Sequence, residues 1–126
     1  MTPRTVATVA AVTSLIFGSV GLIQPQLMTT LFGIEATPTV LALARLLSAS
    51  YLGMAVLAWL ARGLTDSAAW RAVAGANAVS WGLSAVVLAI ALLSGLGNSS
   101  GWALVAMQVV FTLVWSMTYV RAPSAV

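Results

Sequence analysis

Four long apolar stretches, separated by short polar segments, constrain this chain more than any other feature of its sequence. They cover approximately residues 6–23, 39–61, 70–96 and 102–120. A helix needs about 20 mainly apolar residues to cross about 30 Å of hydrocarbon. We therefore predict an all-α, polytopic membrane protein, in which an antiparallel four-helix transmembrane bundle forms a single domain over residues 1–126.

The composition excludes several classes of function. Hydrophobic residues make up 61% of the chain and charged residues 6%, whereas about a quarter of the residues of a soluble domain are charged. The sequence contains no Cys, His or Lys. A thiolate nucleophile, an imidazole base and a Schiff-base lysine are therefore all excluded. We predict that the protein is not an enzyme, holds no metal and uses no cofactor.

The arginines predict how the chain is oriented. Arg4, Arg62, Arg71 and Arg121 all fall on loops or termini of one side of a four-span protein. By the positive-inside rule, we predict that both termini are cytoplasmic. The arginines are isolated from one another along the chain, so we expect no binding of nucleic acid.

Two further features are interpreted from their position relative to the membrane. Residues 25–33 have a Pro at the start, a Gly at the end and one apolar face, which predicts a short helix in the outer interface after the first span. An apolar loop dipping into the headgroups is the alternative. Aromatic side chains near the span ends predict interfacial belts. These are Trp59, Trp70, Trp115 and Tyr119 on the cytoplasmic side and Trp102 on the outer side.

Small and polar residues recur at helical spacing on one face of each span, and such faces mark helix contacts in lipid. In the first span the stripe is Ala7, Ala11, Ser14, Gly18 and Gly21. In the second span the face is Arg45, Ser48, Ala49 and Leu52, and in the third it is Asn77, Ser80, Trp81 and Ser84. In the fourth span Gln108, Thr112, Trp115 and Tyr119 align. We predict that all four faces point into the bundle.

Arg45 is the only charged residue well inside a span, and it leads to a ligand-binding hypothesis. We expect its guanidinium to turn inward, towards Gln108 at a matching depth and Glu35 above it. The remaining members of this candidate site are Gln24, Ser48 and Thr112. The alternatives are a snorkelling arginine and a structural hydrogen-bond cluster.

A secondary polar face lies on the third span, where Asn77, Ser80 and Trp81 share one side. Hydrogen bonding between helices is the alternative role for these residues. No acidic residue lies inside any span, so proton-coupled transport lacks a carrier.

These observations favour a non-enzymatic membrane protein that binds a lipid-like or amphipathic small molecule, or that serves as accessory subunit of a membrane complex. The alternative is a small oligomeric transporter that lacks an embedded proton-carrying acid. The expected partners are the lipid bilayer and either another membrane protein or further copies of the chain.

Short motifs along most of the chain resemble one family. They are residues 21–25 (GLIQP), 31–34 (LFGI), 44–53 (ARLLSASYLG) and 59–62 (WLAR), together with Asn98, Gly101 and Trp102. In these motifs the chain resembles small bacterial four-span proteins that are loosely grouped as DoxX-like. The resemblance implies a four-helix inner-membrane fold and carries no catalytic residues. The named member of the wider group is linked to a quinone-reducing oxidoreductase.

Overall fold

The computed structural model describes residues 2–121, and five α-helices account for most of this range. The helices are α1 (Pro3–Ile23), α2 (Pro25–Leu31), α3 (Pro38–Ala61), α4 (Ser67–Leu93) and α5 (Gly101–Arg121). No β-strand occurs between residues 2 and 121. The predicted all-α class is thus confirmed. In length and composition, α1, α3, α4 and α5 are each able to cross a membrane.

Local sequence signals explain where the helices begin and end. The Thr2 and Thr37 side chains cap α1 and α3, and each cap is followed by a proline at the first helical position. Asp66 accepts hydrogen bonds from the backbone N–H groups of Ala68 and Ala69, both at 3.1 Å, so α4 begins three residues before the predicted position 70. It also ends three residues before the predicted position 96, ahead of Gly95, whose φ of 84° is left-handed.

The short helix predicted over residues 25–33 is present as α2, and the alternative of an irregular apolar loop is wrong. It packs against α1 and α3 through Pro25 and Thr29, which are both buried. The apolar side chains of Leu27 and Leu31 lie on the opposite side and are exposed. Gly33, with a φ of 66°, follows the helix and lets the chain turn towards α3.

The four long helices pack as two close pairs, α1 with α3 and α4 with α5. In the first pair Gly18 lies against Leu52 and Gly21 against Ser48. All five residues of the small stripe predicted on α1 are buried, so that prediction is confirmed.

The pair formed by α4 and α5 also uses glycine contacts. Gly75 lies against Tyr119, Gly82 against Thr112, and Gly101 against Leu92. As in the first pair, the residue numbers rise along one helix while they fall along the other. Close approach at glycine increases the van der Waals contact between the helix backbones.

The distribution of side chains is the reverse of that in a soluble protein. The buried residues are mostly small, polar or aromatic, as in Ala7, Ser14, Asn77, Gln108 and Trp115. The large aliphatic residues are mostly on the surface. They include Leu46, Leu60, Val87 and Val110, each more than half exposed. A continuous exposed apolar surface of this kind marks contact with lipid or with another apolar partner.

The loop between α4 and α5 joins the two pairs at one end of the molecule. The Asn98 backbone N–H donates to the Phe32 carbonyl at 2.9 Å, and the Asn98 side chain donates to the Leu31 carbonyl at 3.2 Å. The Ser100 hydroxyl donates to the same Leu31 carbonyl at 2.6 Å. These contacts, here called the latch, hold the end of α2 against the beginning of α5.

We expect Asn98→Ala to weaken the latch and to lower the free energy of unfolding by about 1 kcal/mol, the net value of a typical hydrogen bond. The variant loses the bond to Leu31 and the acceptor for the Ser100 backbone N–H. Thermal unfolding in detergent, followed by circular dichroism, measures the effect. Ser99→Ala in the same loop is the control, and equal melting of the two variants would contradict a role for the latch.

Candidate functional site

One aromatic side chain from each long helix lies near the middle of the molecule, and together the four form a continuous row. The rings of Phe17 and Tyr51 are 6.3 Å apart, those of Tyr51 and Trp81 are 6.0 Å apart, and those of Trp81 and Phe111 stack at 4.7 Å. Aromatic pairs at such distances attract each other beyond the effect of their buried area. The contact between Tyr51 and Trp81 joins one helix pair to the other.

A crevice lies beside this contact, between α3 and α4. Its volume is about 70 Å³, several times the space that one water molecule needs. The residues lining it are Leu47, Ser50, Tyr51, Met54, Ser80, Trp81 and Ser84. The crevice is therefore large enough for a small polar group and presents three serine hydroxyls to it.

The crevice opens sideways rather than at an end of the molecule. Its lining comes from the middle of α3 and of α4, about two turns or more from either helix terminus. Leu47, Ser50 and Ser80 are exposed at its rim, whereas Trp81 is 4% exposed at its floor. A molecule would thus enter it from the apolar surface of the helices.

Three unpartnered buried polar atoms lie in the core of the described chain, two of them on Trp81 and Gln108 beside the crevice. The Gln108 side chain, 3% exposed, faces the Tyr51 hydroxyl. Its Oε1 atom and the Nε1 atoms of Trp81 and Trp115 are buried without a hydrogen-bond partner in residues 2–121. An unpartnered buried polar group costs about 1–3 kcal/mol. This region therefore holds donor and acceptor capacity that the described part of the chain does not use.

The structure does not bring together the site predicted around Arg45. Arg45, Glu35 and Gln24 are all exposed, and no hydrogen bond or ion pair within residues 2–121 joins Arg45 to Gln108 or Glu35. The predicted inward orientation is thus wrong. Ala49, one turn after Arg45, is also exposed, so these two residues share an outward face. This position avoids the large cost of burying a guanidinium and matches the alternative of a snorkelling arginine.

The hydroxyls of the other two predicted members bond within their own helices. Ser48 donates to the Ala44 carbonyl at 2.7 Å, and Thr112 donates to the Gln108 carbonyl at 2.8 Å. Ser48 is buried against α1, and Thr112 lies against Gly82 of α4. Neither residue lines the crevice. Of the six residues of this hypothesis, Gln108 alone is among the buried polar residues beside it.

The secondary polar face predicted on the third span, now α4, lies closer to the crevice than the site predicted around Arg45. Ser80 and Trp81 line the crevice. Asn77 is buried one turn away, and its Nδ2 atom donates to the Val73 carbonyl of the same helix at 2.9 Å. This bond is not the interhelical one considered as the alternative role for Asn77.

Sequence reasoning missed three aromatic contributors to this region. They are Phe17, Tyr51 and Phe111 of the central row. Trp115, which the sequence placed both on the inward face and in the interfacial belt, is fully buried, so its interfacial assignment is wrong. The signal for Trp115 was its position seven residues after Gln108, on the same helical face. The signal for the row was the presence of an aromatic residue near the middle of every span.

Comparison of the chain with models of protein families, with curated proteins and with solved structures finds no match. The geometry of the crevice and the apolar surface around it are the features that bear on function.

Proposed function

We propose that this protein is an integral membrane protein of four antiparallel spans that binds the polar end of a lipid-like or amphipathic molecule in the crevice between α3 and α4, without catalysing a reaction. The observation that carries the proposal is the sideways opening of a hydroxyl-lined crevice onto an apolar surface. A ligand that enters from hydrocarbon must itself be largely apolar, and only its polar end fits the available volume.

The placement in a bacterial plasma membrane is part of the proposal. Exposed leucines and valines surround the four long helices, and their glycine contacts run in opposite directions along each pair. Arg4, Arg62, Arg71 and Arg121 lie at the end where α1 begins and α3 ends. The positive-inside rule assigns this end, and both termini, to the cytoplasm. In this orientation α2 lies at the outer interface.

The lining favours an uncharged polar group. Ser80 and Ser84 each offer a donor and an acceptor, and Ser50, whose hydroxyl donates to the Leu46 carbonyl at 3.4 Å, offers an acceptor. The lining includes no ionisable acid or base other than the Tyr51 phenol. A hydroxyl, carbonyl or amide group is matched by these partners, whereas a full charge is not. Leu47 and Met54 provide apolar contact for the adjoining part of the ligand.

The sideways opening also distinguishes binding from transport. An aqueous substrate pathway runs from one end of a bundle to the other, whereas the lining of this crevice is confined to the middle of α3 and α4. Binding of an amphipathic molecule, alone or as accessory subunit of a membrane complex, is thus favoured over a small oligomeric transporter.

Photolabelling tests the proposal with a long-chain alcohol that carries a diazirine next to its hydroxyl. The purified protein in lipid nanodiscs is irradiated with the probe, and the labelled residues are mapped by mass spectrometry. We expect labelling of Tyr51, Ser80 and Trp81 above that of exposed residues elsewhere on α4. In Ser80→Leu the larger side chain occupies the rim, so labelling of Tyr51 and Trp81 falls to background.

Val79→Leu is the matched control, because Val79 is 61% exposed and does not line the crevice. It adds apolar volume to the same helix at the neighbouring position and leaves the crevice open. Labelling spread evenly over the exposed surface, or equal labelling in the Ser80 and Val79 variants, would refute the crevice as a binding site.

A further inference from the structure

A second concave surface lies on the opposite side of α3, where α3 packs against α1. It is a groove of about 270 Å³, lined by apolar residues throughout. These are Ala11, Val12, Leu15, Leu52, Ala55, Val56, Trp59 and Leu60. From Leu52 to Leu60 the groove follows α3 for about 12 Å at the standard helical rise. Its length and apolar lining match a segment of one hydrocarbon chain.

A fixed positive charge lies at one end of this groove. The guanidinium of Arg62 stacks on the ring of Trp59, with 4.0 Å between its central carbon and the ring centroid. A cation–π contact of this kind holds the charge in place beside the groove. The Nε atom of Arg62 is buried and has no hydrogen-bond partner in residues 2–121. The described chain thus leaves a donor of this guanidinium unused.

The surroundings of Arg62 add positive charge and little negative charge. Arg4 is exposed at the start of α1, and Arg71 lies over the Tyr119 ring at 4.9 Å. Asp66 is the only acidic residue of this end, and its carboxylate accepts two backbone N–H groups at the start of α4. The end of the groove therefore attracts an anion.

We infer that the groove between α1 and α3 binds an anionic phospholipid, with one acyl chain along the groove and the phosphate at the guanidinium of Arg62. Arginine binds phosphate oxygens through paired N–H groups, and an anionic headgroup adds no cation next to the arginines. The inference rests on the proposed membrane location. It is independent of the crevice, because the two sites share no lining residue.

Native mass spectrometry tests the inference on protein released from nanodiscs that contain equal amounts of phosphatidylglycerol and phosphatidylcholine with the same acyl chains. We expect the wild type to retain phosphatidylglycerol in preference. Arg62→Gln should lower this retention about fivefold, which corresponds to the attraction of one arginine for an anionic membrane surface. Arg45→Gln removes the same charge from the same helix but 17 residues, about 25 Å, before Arg62, and should change retention less than about twofold.

The apolar part of the site is tested separately. Val56→Trp fills the groove from an exposed lining position and should also displace phosphatidylglycerol, whereas Val86→Trp, equally exposed on α4, should not. Equal losses in the Arg62 and Arg45 variants, or no loss in Val56→Trp, would overturn the inference. Because the chain contains no Cys, Val56→Cys introduces a single thiol into the groove. Efficient formation of disulfide-linked dimers in the nanodisc would show that a second copy of the chain covers the groove instead. If the wild type shows no preference for phosphatidylglycerol while photolabelling of the crevice is intact, this inference is rejected and the proposed function is not.

Discussion

Gly18→Leu is expected to force α1 away from α3 and to lower the free energy of unfolding by about 1–3 kcal/mol, the usual cost of overpacking. A Cβ atom added at Gly18 would lie 2.8 Å from the side chain of Leu52 and 3.0 Å from its backbone nitrogen. The side chain can move, but the backbone of α3 cannot move without breaking the contact along the whole pair. Thermal unfolding in detergent measures the change.

Gly53→Leu is the matched control for this experiment. Gly53 is exposed on α3, and nothing lies within 4 Å of the position of an added Cβ atom. Leucine is a better helix former than glycine and would not clash at this position, so we expect unchanged or slightly higher stability. If the Gly18 and Gly53 variants melt at the same temperature, Gly18 does not lie in a close contact between helices.

Trp115→Ala is expected to have the largest effect of any single truncation, a loss of about 3–5 kcal/mol, because it removes the largest fully buried side chain. Trp115 is 0% exposed and belongs to the same buried cluster as Val6, Ala74 and Trp81. Truncation therefore leaves a cavity inside the molecule, which the surrounding small residues cannot fill. Chemical or thermal unfolding in detergent provides the measurement.

Two further variants separate volume from hydrogen bonding at this position. Trp115→Phe keeps most of the ring but removes an N–H group that has no partner in the described residues, so its cost should be well below that of alanine. Trp102→Ala, on the same helix at a position 45% exposed, should be nearly neutral. A cost for Trp102→Ala equal to that for Trp115→Ala would contradict the burial of Trp115.

The sequence predicts the helices well because each one depends on local signals. These signals lie within a few residues of the boundaries that they define. They are apolar runs of sufficient length, the Thr–Pro starts of α1 and α3, and Gly33 after α2. The predicted end of α4 is wrong because hydropathy and backbone conformation give different signals there. Hydropathy extends the span to Leu96, but Gly95 has already left the helical conformation.

The candidate site was harder to predict, because it depends on how each helix is rotated relative to its neighbours. Arg45 and Ser48 are three residues apart, yet one is exposed and the other is buried against Gly21. Their side chains point in directions about 60° apart around the helix. Small residues lie on both of these faces, so the sequence does not show which face is buried. The crevice itself depends on the meeting of Trp81 with Tyr51, a contact between helices that no local pattern encodes.

The division into two helix pairs has a consequence for how this chain reaches its native structure. Each pair is contiguous in sequence, one within residues 3–61 and the other within residues 67–121, so the contact order of each half is low. Low contact order favours rapid folding, because little loop-closure entropy is lost before contacts form. Each half can therefore form as an independent helical hairpin as it emerges during synthesis. Completion of the molecule then requires one late docking step, in which Tyr51 meets Trp81 and Asn98 reaches the end of α2.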